Sequence, residues 1–446
     1  MKKVVNIGMV WIGIIFLILS AMQQLLVNYL PATAVITMVV SVLLAYTNKS
    51  NKKIWIPLCV IAAVNILGVL INRYTMLEIL GIISFATGIV FVVAGLIQKF
   101  KAQKRMVTNV LAIIGSVLVV FASGFLNFTA LRPDITMVMM GNSVSPVLNV
   151  TDAQQSERTL EDGTRLISDV CYDTQLPNGY LDIYHTTKGE NAPTLIFIHG
   201  GGYLWGDKAS GDPNAENTNF SNSTGGRFLA EGYNVVQMNY ALAPDYPFPA
   251  AIKQLNRGLD FLVKNGDKYG LDMERVVIGG GSAGGNLAGT LINIQTNAEY
   301  AKVVGETAVI DASCIKAGVF EGGLFDNSRF GKTGSVMVDW SFTQLGRAYL
   351  GINELAANKK VVTPSNVLDY VTASFPASFI SDGNTGTFND QAEDMHTLLD
   401  GFGVPNELCI FPKEEASLAH GFEESGSEYA DRVFERMFAF LNENME

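Results

Sequence analysis

No charged side chain occurs between residues 4 and 48. As one helix that run would extend about 68 Å, roughly twice the hydrocarbon thickness of a bilayer. It must therefore fold back on itself. Gln23-Gln24, Asn28 and Pro31 mark the place, giving spans near 5–26 and 30–47. Three more apolar runs follow, at 54–72, at 76–96 with Glu78 near one end, and at 106–126. A cleaved leader would need a shorter apolar core and a small-residue cleavage site before mature sequence. Residues 1–127 read instead as an all-α transmembrane region of about five helices.

The basic residues orient those spans. Lys2 and Lys3 precede the first. Lys49, Lys52 and Lys53 lie between the second and third, and Lys99, Lys101, Lys104 and Arg105 between the fourth and fifth. The alternate loops hold only Arg73. Positive loops face the cytoplasm, so the N-terminus is expected inside and everything after the fifth span outside. The expected location is the cell membrane, multi-pass, with an extracytoplasmic C-terminal domain. Intramembrane ionisable residues would point to transport or catalysis within the bilayer. Glu78 and Arg73 sit only at its boundaries, so the region reads as an anchor.

Residues 1–105 carry a net charge of +9, so the rest of this −11 chain carries −20. An acidic domain of that kind argues against nucleic acid, whose phosphates need Lys and Arg. Cys59, Cys171, Cys314 and Cys409 are widely spaced and form no Cys-x-x-Cys pair, so neither a zinc site nor a disulfide framework is suggested. Residues 128–165 show no clear periodicity and read as a linker. From 166 onward short apolar runs at 195–198, 233–239, 275–278, 317–320, 378–380 and 407–411 alternate with helical stretches at 226–231, 250–265, 284–294, 389–401 and 428–444. That alternation predicts an α/β domain over 166–446, a mainly parallel sheet with helices on both faces.

Gly280-Gly281-Ser282-Ala283-Gly284 fits Gly-x-Ser-x-Gly between a strand and a helix. That context forces a serine onto a tight turn and exposes its hydroxyl at the top of the sheet. The same stretch also contains Gly279-x-Gly281-x-x-Gly284, the dinucleotide fingerprint, which needs an acid at the next strand's end. Glu299 has about the right spacing, but its surroundings do not read as a strand end. His199-Gly200-Gly201-Gly202 follows a strand, and its glycines let backbone N–H groups turn toward a ligand oxygen. His199 itself reads as a structural hydrogen-bonding residue. Of four histidines, His185 precedes the main sheet and His396 sits in a helical stretch. His420 lies on a loop after the last strand, where the chain order serine, acid, histidine puts a general base.

With Asn239-Tyr240-Ala241-Leu242-Ala243-Pro244, Phe248-Pro249-Ala250, His420-Gly421-Phe422 and the strand Leu181-Asp182-Ile183-Tyr184, these motifs make residues 166–446 resemble the hormone-sensitive-lipase-like esterases of the α/β-hydrolase superfamily. The resemblance does not extend to the membrane region. It implies Ser282 as nucleophile, His420 as base, oxyanion N–H groups on Gly201, Gly202 and Ala283, and carboxylic-ester hydrolysis with no metal or cofactor.

One element departs from the family pattern. Alignment from Pro376 puts Thr385 where the triad acid belongs, and threonine cannot stabilise an imidazolium as a carboxylate does. Asp382, at the end of the strand, is the first candidate. Asp390 is the second, and Glu321 and Asp326 are the third. The alternative for Asp382 is a turn cap in an Asp-Gly-Asn sequence.

Three functions are compatible with this reading. The first is a membrane-anchored serine esterase. The second is an acyltransferase using the same serine, and the third a catalytically inactive binding or sensor domain. The expected substrate is a small-molecule, lipid or glycan ester.

Overall fold

A computed structural model describes residues 8–26, 30–49, 51–71, 74–101, 106–131, 150–189, 191–208, 220–352, 355 and 358–445. Most of the expected linker (132–149) and the loop cations Lys2, Lys3, Arg73, Lys104 and Arg105 lie outside these residues. The chain divides into two compact units, residues 1–136 and 137–446.

The first unit holds five helices: α1 (Met9–Leu25), α2 (Leu30–Thr47), α3 (Lys52–Ile71), α4 (Tyr74–Lys101) and α5 (Met106–Leu131). Their positions follow the apolar runs. Among the described residues one stretch, Ile79–Gln98, is long and apolar enough to cross a membrane. Met9–Leu25, Ala32–Thr47 and Ile113–Phe128 are apolar but shorter. The sequence therefore marks five helices, whereas among the described residues one meets that combination of length and composition.

Beside an apolar core that includes Ile12, Phe16, Leu58 and Phe91, this unit buries polar side chains and exposes large apolar ones. Ser20, Gln23, Gln24, Ser123 and Asn127 are buried, while Trp11, Val90, Leu118 and Phe121 are largely exposed. Asn127 Nδ2 donates to Ser20 Oγ at 2.8 Å, Ser20 Oγ donates to the Gly81 carbonyl at 2.7 Å, and Ser123 Oγ donates to the Leu17 carbonyl at 2.9 Å. These bonds tie α1 to α4 and α5. Close backbone approach helps: a Cβ at Gly88 would lie 2.6 Å from Leu17 and 2.9 Å from the Gly13 carbonyl.

The second unit is built on a nine-stranded sheet in the order β1-β2-β3-β5-β4-β6-β7-β8-β9. The strands are β1 (Ser156–Thr159), β2 (Arg165–Cys171), β3 (Tyr180–His185), β4 (Pro193–Ile198), β5 (Asn234–Met238), β6 (Asp272–Gly281), β7 (Ile315–Glu321), β8 (Ala377–Ser381) and β9 (Asn406–Cys409). β1, β2 and β3 run antiparallel, as does the β3–β5 pair. β5, β4, β6, β7, β8 and β9 are mutually parallel. β1 falls within the stretch 128–165. Its sequence, Ser-Glu-Arg-Thr, is wholly exposed and carries no apolar alternation to announce a strand.

The parallel strands are buried on both faces, which explains their continuous apolar runs. On one face Leu195, Phe197, Val235, Val277, Val319 and Phe379 share a core with Phe228 of α6 (Thr224–Glu231) and with Val433, Phe434 and Met437 of the C-terminal helix. The alternate residues Ile196, Ile198, Ile278 and Ile380 are equally buried and, by the two-residue period of a strand, point to the other face. There α7 (Ala250–Tyr269) and α8 (Ala283–Thr296) contribute buried Leu255, Leu259, Leu287 and Ile292. A further helix, α9 (Val336–Leu350), precedes β8. α10 (Asn389–Phe402) and α11 (Glu428–Asn444) complete the unit. Because all parallel strands end on one edge, β4, β6 and β8 deliver Gly200–Gly202, Ser282 and Asp382 to the same side of the sheet.

Candidate active site

β6 ends at Gly281 and α8 begins at Ala283, so the chain reverses at Ser282. Its φ of 56° and ψ of −120° lie in a region that L-residues rarely adopt. The glycines around it are steric requirements. A Cβ at Gly284 would meet the Ile198 carbonyl oxygen at 2.0 Å, and one at Gly280 would meet the Gly284 carbonyl oxygen at 2.3 Å. Ser282 N–H donates to the Glu321 carbonyl at 2.7 Å, locking the turn to β7. The N-terminus of α8 lies directly after the serine, where its dipole favours developing negative charge.

His420 Nε2 lies 2.8 Å from Ser282 Oγ. His420 Nδ1 lies 3.5 Å from Asp382 Oδ1, an ion-pair separation slightly longer than a formed hydrogen bond. The Asp382 side chain is almost wholly buried and held in place: Oδ1 accepts from Gly383 N–H at 2.7 Å and Oδ2 from Phe388 N–H at 2.8 Å. The rings of Phe342 and Phe388 stand nearly perpendicular to the imidazole, with centroids 5.9 and 5.6 Å away. Burial works to lower the His420 pKa. The Asp382 carboxylate, with a further contribution from Glu423, outweighs it and leaves the imidazole above its usual range.

The loop after β4 comes close against the serine. A Cβ at Gly200 would sit 3.3 Å from Ser282 Cβ. Gly201 and Gly202 have φ of 99° and 57°, a conformation glycine adopts without strain. Among the described residues no acceptor takes the N–H of Gly201, Gly202 or Ala283. His199 is buried, stacks on Tyr240 at 4.4 Å and bonds the Gly200 carbonyl through Nδ1 at 2.8 Å. Burial lowers its pKa.

The remaining acid candidates lie in other contacts. Asp326 and Asp390 both pair with Arg329, at 2.8 and 3.1 Å. Both carboxylate oxygens of Glu321 accept from Thr224 Oγ1. Thr385 bonds Ser417 Oγ and the Leu418 carbonyl, and so ties the Asp382 loop to the loop carrying His420. Glu299 lies on a short helix and pairs with Lys302, away from any strand end. His185 and His396 are not in the site. No group of three or more His, Cys, Asp or Glu suited to a metal occurs among the described residues.

Lys208 and Glu423 carried no signal in the sequence. Lys208 is a buried lysine whose Nζ sits 2.9 Å from Asp169 and 3.0 Å from Asp182. Its backbone N–H and the Asp207 carboxylate are both held by the Asn239 amide, so it pins the end of the glycine loop to β3 and β5. Glu423 lies three residues after His420, fully buried. A Glu in a loop has no periodicity to distinguish it from a solvated one.

Residues 181–398 match the family described as BD-FAE. Esterase LipI of Mycobacterium tuberculosis is 32% identical over 100 residues, 22% of this chain and 28% of that protein. Ethyl acetate hydrolase of Pseudomonas putida is 28% identical over 189 residues, 37% of this chain and 55% of that enzyme. The chain thus spans roughly a third of the first curated relatives it matches. Esterase B from Lactobacillus rhamnosis superposes with a TM-score of 0.53 at 21% identity, over 70% of this chain and 93% of that one. The mainly parallel sheet with its flanking helices is the α/β-hydrolase fold.

Proposed function

We propose that this chain is a membrane-anchored serine hydrolase that cleaves carboxylic esters. The observation that carries the proposal is the 2.8 Å approach of His420 Nε2 to Ser282 Oγ at a strained strand-to-helix turn. His420 takes the hydroxyl proton as Ser282 Oγ attacks the ester carbonyl. The tetrahedral oxyanion rests on N–H groups of Gly201, Gly202 and Ala283. His420 then passes its proton to the leaving alcohol, and water, activated in the same way, releases the acid from the acyl-serine. Asp382 holds the imidazole tautomer and stabilises the imidazolium. The buried position and fixed geometry of Asp382 favour this reading over an inert domain.

Anchoring is supported by the large apolar side chains that the first unit exposes and the polar ones it buries. Polar side chains bond one another between helices, and large apolar ones face outward, as lipid demands. In this proposal α1 to α5 are five membrane helices, and the positive charge of alternate loops favours a hydrolase unit outside the cytoplasm.

The test is reaction of the full-length protein with an alkyl fluorophosphonate. A single adduct on Ser282 with matching loss of ester hydrolysis is expected. An adduct elsewhere, or hydrolysis that survives Ser282→Ala, would overturn the assignment.

A further inference from the structure

Asn239 and Tyr240 follow β5 and touch neither Ser282 nor His420, yet they hold the glycine loop after β4 at both ends. A cavity of about 180 Å³ adjoins Ser282 and His420, and Gly200, Asp207 and Lys208 of that loop contribute to its wall. At the far end of the loop the Asn239 side chain holds the Asp207 carboxylate and the Lys208 N–H. At the near end Tyr240 OH donates to the His199 carbonyl at 3.1 Å and to the Gly200 carbonyl at 3.2 Å. One proton shared between two acceptors suits distances longer than those of a single O–H···O bond. Tyr240 is fully buried, and burial raises its phenol above the usual range, so it stays a donor.

The tyrosine is fixed independently of the loop. Its carbonyl accepts from Asn178 Nδ2 at 3.1 Å, and the next N–H, of Ala241, donates to Gln254 at 2.6 Å. The preceding carbonyl, of Asn239, accepts from Tyr172 OH at 2.5 Å. The peptide between Gly200 and Gly201 is planar and trans, so the Gly200 carbonyl and the Gly201 N–H point in opposite directions. Holding that carbonyl therefore sets the direction of an N–H that no acceptor takes among the described residues. His199 Nδ1 is its second donor, at 2.8 Å. Gly202 differs. The Gly201 carbonyl, which sets the Gly202 N–H in the same way, accepts from Leu204 and Trp205 N–H within the loop's own turn, both at 3.1 Å. Gly201 is thus the donor whose direction depends on a side chain from another strand end.

We infer that Tyr240 is a positioning residue for the oxyanion: its hydroxyl, through the Gly200 carbonyl, aims the Gly201 N–H at the tetrahedral intermediate. This role rests on the proposed ester hydrolysis and deepens it.

The experiment compares the full-length protein with Tyr240→Phe, which keeps the buried ring and removes the hydroxyl. Outright loss of one oxyanion donor lowers kcat by about 10²–10³, and a donor present but unaimed should cost about tenfold or more. KM for a 4-nitrophenyl ester should change by less than about threefold, because the oxyanion is absent from the ground state. Affinity for an alkyl trifluoromethyl ketone, whose adduct with the serine carries the same oxyanion, should fall by the same factor as kcat/KM. The acid limb of kcat/KM should stay in place, since no charge near His420 changes. Tyr240→Phe with kcat and ketone affinity within about twofold of wild type overturns the inference, as does a loss carried only by KM or by a shifted acid limb. If Tyr240→Phe does not fold, 4-aminophenylalanine in place of Tyr240 keeps a donor at the same point. Wild-type ketone affinity is then expected, and a folded protein that binds the ketone about tenfold more weakly overturns the inference. An active wild type with an unaffected Tyr240→Phe removes only the positioning role. An inactive wild type with an unreactive Ser282 removes the hydrolase reading itself.

Discussion

Asp382 Oδ1 and His420 Nδ1 lie 3.5 Å apart, although α10 and β9 separate the two residues in the chain. The contact forms because β8 ends immediately before Asp382, and because Thr385 pairs the following turn with residues 417–419. A carboxylate in that place fixes the histidine tautomer, and its loss lowers kcat by about 10⁴. Asp382→Asn should therefore cripple turnover with circular dichroism unchanged. Asp326→Asn and Asp390→Asn, whose contacts are with Arg329, should change kcat by no more than about threefold. Normal turnover by Asp382→Asn would show that the acid sits elsewhere.

Ser282→Ala and His420→Ala should each lower kcat by roughly 10³ or more, and the double variant should be little worse than either. Independent, multiplying losses would mean that the two side chains do not act on the same proton. Steady-state hydrolysis of a 4-nitrophenyl ester measures this.

The base must be neutral to accept the serine proton. Burial tends to lower the His420 pKa, but Asp382 and then Glu423 raise it overall. The acid limb of kcat/KM should consequently fall above the pH of about 6.5 expected for a free histidine. Removing a neighbouring negative charge makes the imidazolium less stable, so Glu423→Gln should move the limb to lower pH. A limb that stays put, or moves up, would remove Glu423 from the electrostatics of the base.

Lys208 neutralises Asp169 and Asp182 where solvent is excluded, and burial pushes Asp182 up to about 6 despite the lysine. Replacing one partner of such a group leaves uncompensated charge. Lys208→Met should destabilise the hydrolase unit by about 3–5 kcal/mol, read by denaturant unfolding of the full chain in detergent. A loss below about 1 kcal/mol would show that the cluster is hydrated and contributes little.

Labelling can check the topology proposed from the loop charges. With Cys59, Cys171, Cys314 and Cys409 replaced, a cysteine at Lys52 should resist an impermeant thiol reagent in intact cells. One at Ser156 should react. The reverse pattern would put the hydrolase unit in the cytoplasm.

The sequence by itself determined the features that depend on local chemistry. Buried parallel strands are continuous apolar runs, so β4 through β8 stood out. Gly280 and Gly284 are legible by their spacing about the serine in a strand-to-helix turn, although part of the crowding that bars a side chain there comes from the Ile198 carbonyl of β4. Charge-free stretches marked the five helices, since lipid and a buried bundle both exclude charge. Tertiary structure decided what depends on residues far apart in the chain. The short polar β1 is a strand only because β2 offers it an edge. Asp382 reaches His420 through a turn whose course is set by bonds to residues 417–419. Glu321 and Glu423 become neighbours of one cavity because β7 and β8 pair in register and the loop after β9 folds across their ends. A carboxylate's role is set by what surrounds it in space, and burial with few donors leaves no trace in the order of residues along the chain.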